Sequence, residues 1–210
     1  MTRILIVDDY PVVVEGVKQI LAEAIPRVEF GEAPDGETAL RLLRKEDWDI
    51  VILDLSLPDR SGLELLKQMK AIKPATPVLA LSMYAEEQFA VRLLRSGAAG
   101  YVNKKAASQE LVAAVQRVLA GGRFMSSDLA ERLVHDLRQG APRAPHESLS
   151  DREYLVFRML ASGRTVKDIA SELRLSPQTV STHRTRILEK MAMTTNADLV
   201  KYVTDNRLLG

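Results

Sequence analysis

The sequence predicts a doubly wound α/β domain built on a parallel five-stranded sheet, followed by an all-α helix-turn-helix domain. Three observations carry that prediction. Five short apolar runs alternate with longer segments whose apolar residues recur at helical spacing. The runs are read as β-branched and apolar throughout, as strands covered on both faces by helices must be. Beyond residue 147 the runs cease, and only helical periodicity with helix start signals remains.

In order, the predicted strands are Ile4–Val7, Val28–Phe30, Ile50–Leu53, Val78–Leu81 and Tyr101–Val102. Right-handed crossovers between parallel strands place helices on both faces, and ligands then bind outside the carboxyl ends of the strands. Asp8 and Asp9 end the first strand, Asp54 the third and Ser82 the fourth, and Lys104 follows the fifth, so all converge on one edge. Glu86 and Glu87 read as the dipole-favoured first turn of a helix rather than as site residues. After Val118 the glycines of "LAGGRFMSS" stop a helix. A helix over Ser127–Arg138 then leads to the Pro-rich "GAPRAPHES", which reads as a linker. The expected boundaries are a first domain over residues 1–121, a linker over 122–147 and a second domain over 148–210. In the second domain Ser150 with Glu153 forms a capping box, Thr165 caps a second helix, Ser176 followed by Pro177 opens a third, and Thr194 or Thr195 starts a fourth.

At 210 residues with 46% apolar and 27% charged side chains, the chain has the balance of a soluble globular protein with room for two cores. No apolar run approaches membrane-spanning length, and "MTRILIVDDY" reaches acids too soon for a secretory segment, so a cytoplasmic protein without a membrane partner is expected. The absence of cysteine excludes disulfides, thiolate metal sites and thiol nucleophiles. The net charge of +1 hides a local excess: between Arg174 and Lys190 the bases Arg174, Arg184, Arg186 and Lys190 face only Glu189.

Two ionised carboxyls a few ångströms apart repel by roughly 3 kcal/mol at an effective dielectric near 20, so Asp8 and Asp9 call for a positive partner. With Asp54 they form a hard oxygen site that suits Mg²⁺, since no His or Cys is near in sequence to favour zinc. Asp54 is then a nucleophile toward a phosphoryl group, with Lys104 neutralising one equatorial oxygen and the Ser82 hydroxyl donating to another. An acid at a strand end is also an ordinary helix cap, and Lys104 alone an ordinary surface lysine. The convergence of all five is what favours chemistry.

"ILIVDDYPVVVEG", "IVILDLSLPDRSGLELL", "VLALSMY" and "SGAAGYVNKKA" together resemble the receiver domain of a two-component response regulator, over residues 1 to about 120. The resemblance implies that Asp54 is the phosphoacceptor, that Asp8 and Asp9 hold Mg²⁺ together with Asp54 and the backbone carbonyl of Ser56, that Ser82 is the switch hydroxyl, Tyr101 the switch aromatic and Lys104 the phosphate-contacting lysine. Lys105 is a second candidate for that amine. A phosphoryl group on Asp54 pulls Ser82 toward it, opening space that the Tyr101 ring fills. The bland alternative for Tyr101 is a plain core or half-exposed aromatic.

"TVKDIASELRLSPQTVSTHRTRILEKM" places two short helices either side of a tight turn. On a helix over Ser176–Met191, Val180, Ile187 and Met191 share the core side. Gln178, Ser181, Thr182, Thr185 and Arg186 point away, as base-reading residues do, with Arg186, Lys190 and His183 set to meet phosphates. Arg184 falls nearer the apolar side, either snorkelling to a phosphate or pairing internally. His135, His146 and His183 share no spacing and are not metal ligands. The bland alternative is a protein-binding helical bundle. "SLSDREYLVFRMLASGRTVKDIASELRLSPQTVSTHRTRILEKM" resembles the LuxR-type helix-turn-helix of the NarL/FixJ family of response regulators, over residues 148–210.

These resemblances imply a phosphorylation-dependent transcription regulator. Its partners are a sensor histidine kinase, double-stranded promoter DNA, a second copy of the chain and RNA polymerase. Enzymatic chemistry is limited to Mg²⁺-dependent phosphorylation and dephosphorylation of its own Asp54. Pairing of two copies through the "ELVAAVQRVL" stripe or the last helix would give an inverted-repeat operator. A phosphohydrolase is the competing class, but Ser56 stands where such an enzyme carries its general acid. An adaptor with a vestigial receiver is a third reading, opposed by the intact Asp8, Asp9, Asp54 and Lys104.

Overall fold

The computed structural model describes residues 1–57, 59–82, 92–105, 108–125, 144–173, 175–206 and 208. The expected helix over Ser127–Arg138, with His135, and the positions of Glu86, Glu87 and Arg174 lie outside the described residues. The chain divides into two compact units, Met1–His135 and Asp136–Gly210.

The first unit holds a parallel sheet of β1 (Thr2–Val7), β2 (Val28–Ala33), β3 (Ile50–Asp54), β4 (Val78–Ser82) and β5 (Gly100–Asn103), in the order β2-β1-β3-β4-β5. Among the described residues the strands are accompanied by α1 (Pro11–Ala24), α2 (Gly36–Lys45), α3 (Gly62–Ile72) and α4 (Ser108–Leu119). Alternation along the strands builds two cores. Ile4, Ile6, Ile50, Ile52, Leu79, Leu81 and Val102 form one cluster with Val14, Val17 and Leu21 of α1 and with Leu111, Ala114, Val115 and Val118 of α4. The intervening Leu5, Val7, Val51, Leu53, Ala80 and Tyr101 are equally buried on the opposite face. Val12 and Tyr10, at the start of α1, remain exposed.

β2 departs from the apolar pattern expected of it. It runs on to Ala33, and Glu29 and Glu32 are exposed, because an edge strand is wetted where the inner strands are not. Its Gly31 accepts the Trp48 ring: a Cβ there would stand 2.2 Å from that indole. After α4 the chain turns back so that Phe124 pairs beside β5. Its N–H donates to the Ala99 carbonyl, its carbonyl accepts from Tyr101, and its ring packs on the α1–α4 core.

The second unit is helical, with a 3₁₀ turn (Pro145–Ser148) followed by α5 (Asp151–Ala161), α6 (Val166–Glu172), α7 (Pro177–Lys190) and α8 (Asn196–Asp205). The start signals act as read. Ser150–Glu153 and Thr165–Asp168 are capping boxes, Ser176 caps α7 ahead of Pro177, and Thr195, rather than Thr194, caps α8 in a third box with Asp198. Hydrogen bonds from Thr194 and Thr195 hold the Asp198 carboxyl down to about 2. His146 shares a 2.7 Å hydrogen bond with the Tyr202 hydroxyl, tying the 3₁₀ turn to α8. Val180, Ile187 and Met191 are buried as expected, and Leu188 joins them.

α7 ends in a Schellman motif: Met193 N–H donates to the Leu188 carbonyl and Ala192 N–H to that of Glu189, with Ala192 at φ +53°. That left-handed conformation costs a residue with a Cβ about 1 kcal/mol relative to glycine. Ala192→Gly is therefore expected to raise stability by about 1 kcal/mol and the melting midpoint of the second unit by roughly 5 °C, measured by thermal unfolding.

Candidate functional site

The strand order reverses between β1 and β3, and there the crevice of a doubly wound sheet opens at the carboxyl ends. Asp8 follows the last residue of β1 and Asp54 is the last of β3, so topology alone brings them together. Asp8 is fixed by its N–H to the Ala33 carbonyl, and its Oδ1 accepts from the Tyr10 N–H at 3.0 Å. Ligand oxygens of Asp8, Asp9 and Asp54 lie within 4.8 Å of one another, with Asp8 and Asp54 buried and Asp9 half-buried.

The positive partner is Lys104. Its Nζ donates to Asp8 Oδ2 at 2.6 Å and stands 2.9 Å from Asp54 Oδ2, and its side chain is 10% exposed against 2% for each acid. The approach to Asp54 is ionic in character, since Oδ2 lacks a hydrogen bond of good angle. Lys104 is held from β4 by its own N–H, which donates to the Ser82 carbonyl at 2.7 Å. Of the two candidate lysines it is thus Lys104 that reaches the acids. Lys105 is exposed and uses its N–H on Asn103 Oδ1.

Burial pushes the Asp54 carboxyl above the usual aspartate range. Lys104 pulls it back, Asp8 pushes it up again and the Ser56 N–H lowers it, leaving a net rise. Burial likewise pushes the Lys104 ammonium down, but Asp54 and Asp8 together more than reverse this. Ser82, fully buried, ends β4 opposite Asn103, and Tyr101, 1% exposed, packs inward on β5. The donor set is all oxygen, so the residues present fit a hard cation such as Mg²⁺.

Two residues of this edge went unremarked in the sequence. Asp59 accepts from the Gly36 N–H at 3.0 Å and so ties the loop after Asp54 to the start of α2. Gly62, the first residue of α3, lies so close beneath that loop that a Cβ would stand 2.5 Å from Leu55 Cα and 2.9 Å from the Asp54 carbonyl. A glycine at the first position of a helix, where it is a poor helix former, was the available signal.

In the second unit the turn between α6 and α7 is closed by Leu175 N–H on the Ala170 carbonyl at 2.8 Å. Gln178, Thr182, Thr185 and Arg186 are exposed on α7, while Ser181, His183 and Arg184 are half-buried. Thr182 Oγ1 donates to the Gln178 carbonyl at 3.0 Å and Thr185 Oγ1 to that of Ser181 at 3.2 Å. Arg184 pairs internally: its Nε donates to Asn196 Oδ1 at 2.6 Å, joining α7 to α8.

Two residues expected at phosphates have other surroundings here. The Lys190 ammonium, 2.6 Å from Glu153 Oε2, joins α7 to the cap of α5. Glu153 is itself buried and also accepts from the Ser150 N–H. Burial pushes its carboxyl up, but Lys190 and Ser150 bring it below the usual range. Burial holds His183 below the usual histidine value, with Arg152 adding to the effect.

A receiver-like sheet with an acid cluster and a lysine at its switch point, joined to a helix-turn-helix unit, defines the class of response regulators. Residues 4–116 match the response regulator receiver domain, and residues 147–203 match the luxR family of bacterial regulatory proteins. The response regulator GacA of Pseudomonas aeruginosa is 36% identical over 202 residues, 95% of this chain and 94% of the relative. The response regulator UvrY of Escherichia coli is 33% identical over 192 residues, 91% and 88% of the two chains. Among solved structures, RcsB of Salmonella enterica serovar Typhimurium, bound to the rprA promoter with the phosphomimetic BeF₃⁻, is 28% identical with a TM-score of 0.62, covering 97% of this chain and 98% of that one. The chain belongs to the NarL/FixJ family of response regulators, transcription regulators that join a receiver domain to a LuxR-type DNA-binding domain. Among the described residues no helix is long and apolar enough to cross a membrane.

Proposed function

We propose that Asp54 accepts a phosphoryl group from the phosphohistidine of a sensor kinase, and that this event controls pairing of two copies and binding to promoter DNA. The observation that carries the reading is the buried Asp8–Lys104–Asp54 triad at the switch point. An Asp54 carboxylate oxygen attacks phosphorus as the donor's P–N bond breaks, and the electron pair leaves with the imidazole. Lys104 favours the ionised form of Asp54 against the cost of burial and meets a phosphoryl oxygen. A magnesium ion held by Asp8, Asp9, Asp54 and the Ser56 carbonyl would supply the further positive charge that the phosphoryl oxygens need.

Ser82 answers the new charge from the end of β4, and Tyr101 follows on β5. The backbone of Tyr101 holds Phe124, so the start of the 122–147 linker is hydrogen-bonded to the responding strand. In the domain over 148–210, Gln178, Ser181, Thr182, Thr185 and Arg186 present the DNA-facing side of α7. His183 flanks it, and Lys190 borders it with its charge shared by Glu153. The promoter-bound RcsB structure supports DNA as the partner, and a second RcsB structure, of two dimers bound to two parallel DNAs, supports pairing. Action at a promoter brings RNA polymerase in as a partner, in the cytoplasm where the DNA lies.

Acetyl phosphate with Mg²⁺ is expected to add one phosphoryl group to the intact protein by mass, and Asp54→Asn to add none. An unchanged adduct in the variant contradicts the assignment.

A further inference from the structure

We infer that Thr182 and Thr185 read A·T base pairs through their methyl groups and not by donating hydrogen bonds. The inference rests on the reading of α7 as the helix that enters the major groove. Each threonine is exposed, yet Thr182 donates its proton to the Gln178 carbonyl at 3.0 Å and Thr185 donates its proton to the Ser181 carbonyl at 3.2 Å. A hydroxyl has a single proton. Once that proton is held inside the helix, the side chain offers a base only a methyl group and oxygen lone pairs.

The four base-pair orientations do not treat such a surface alike. Guanine presents two acceptors in the major groove, N7 and O6, and an acceptor facing them gains nothing. Thymine alone presents a C5-methyl that packs against the threonine methyl; the oxygen lone pair accepts from adenine N6–H₂ or cytosine N4–H₂ alike, so the methyl is what discriminates. Thr182 and Thr185 lie three residues apart and so share one face of α7, which makes the reading apply to neighbouring base pairs. The Gln178 amide lies one turn before Thr182 and the Arg186 guanidinium follows Thr185, while the half-buried Ser181 hydroxyl stands beside Thr182 as a third donor. Glu189, exposed one turn beyond Thr185, is a further acceptor. At Thr182 and Thr185 themselves the surface is therefore apolar and accepting, and guanine is left to Gln178, Ser181 and Arg186.

The test selects duplexes from a library with a randomised core, using the full chain with acetyl phosphate and Mg²⁺. The selected duplex is then rebuilt with deoxyuridine replacing thymidine one position at a time, and affinities are read by fluorescence anisotropy. One or two positions per half-site are expected to lose about fourfold, the factor that one buried methyl group corresponds to. Thr182→Val and Thr185→Val, which keep a methyl and lose the hydroxyl, are expected to preserve the thymine-to-uracil ratio. Thr182→Ser and Thr185→Ser, which keep the hydroxyl and lose the methyl, should bring that ratio to near one, each at its own position. Loss of the ratio in the valine variants with retention in the serine variants would overturn the inference, because the hydroxyl would then be the reader. Enrichment of a defined sequence without any thymine dependence overturns the inference alone. Failure to enrich any sequence overturns the DNA reading beneath it as well.

Discussion

Lys104→Met is expected to lower the stability of the metal-free receiver by about 3 kcal/mol at pH 7, because breaking a buried ion pair leaves its partners uncompensated. Two carboxylates, each 2% exposed, lose the ammonium that lies 2.6 and 2.9 Å from them. The sign of the pH dependence follows from the directions of the shifts. Lys104 has a raised pKa in the fold, so its stabilisation is complete below the ordinary lysine value near 10.4 and is lost only as pH rises through the higher folded value. Over pH 5 to 9 this contribution is constant in the natural protein. Asp54 is an acid with a raised pKa, and removing Lys104 raises it further. Such a group favours the fold as pH falls through that pKa, by taking up a proton. The deficit of the variant is thus expected to shrink between pH 8 and pH 5, and also to shrink when millimolar Mg²⁺ is added at pH 7. Urea unfolding at the two pH values, with and without Mg²⁺, checks both. A deficit of equal size under all conditions would mean that Lys104 contributes packing alone.

Glu153→Ala is expected to cost the second unit about 2–3 kcal/mol, the sum of a lost capping interaction and a lost charge-assisted hydrogen bond. Glu153 accepts from the Ser150 N–H at 2.7 Å and from Lys190 at 2.6 Å, so its loss unties α7 from the cap of α5. Because its pKa is lowered, the stabilisation is present above the ordinary glutamate value near 4.3 and fades as pH falls through the lower folded value. Lys190→Met is expected to cost less, since Lys190 is 41% exposed and Glu153 keeps its bond to Ser150. The same variant separates scaffold from contact on DNA. The slope of log affinity against log salt concentration stays unchanged if Lys190 serves the scaffold, whereas a phosphate contact would reduce it by about one. The pairing with Glu153 predicts the unchanged slope.

What could be read without the structure divides along physical lines. Local signals were legible: Ser150, Thr165 and Ser176 each bond a backbone N–H three residues on, so the sequence around them contains both partners. The inner strands were legible because burial on both faces leaves no polar position between Ile4 and Val7 of β1, or in β4 before its last residue. β2 was legible only in part: Glu29 already interrupts the apolar run Val28–Phe30, as an edge strand allows, and the continuation through Glu32 to Ala33 lay outside that run. The convergence of Asp8, Asp54 and Lys104 was legible through topology, because carboxyl ends of parallel strands meet wherever the sheet is wound this way. Lys190 with Glu153, 37 residues apart, was not: their meeting depends on how α7 crosses α5, which no periodicity encodes. Arg184 stood at the margin of a helical-wheel estimate, and only the position of Asn196 at the start of α8 decides between its alternatives.

The central claim is that modification of Asp54 governs how strongly α7 engages DNA. The most direct measurement is the affinity of the full chain for its selected duplex with and without acetyl phosphate and Mg²⁺, alongside Asp54→Asn. The account predicts roughly 5- to 150-fold tighter binding on phosphorylation of the natural protein and no change in the variant. Equal affinity of the natural protein in both states would contradict it.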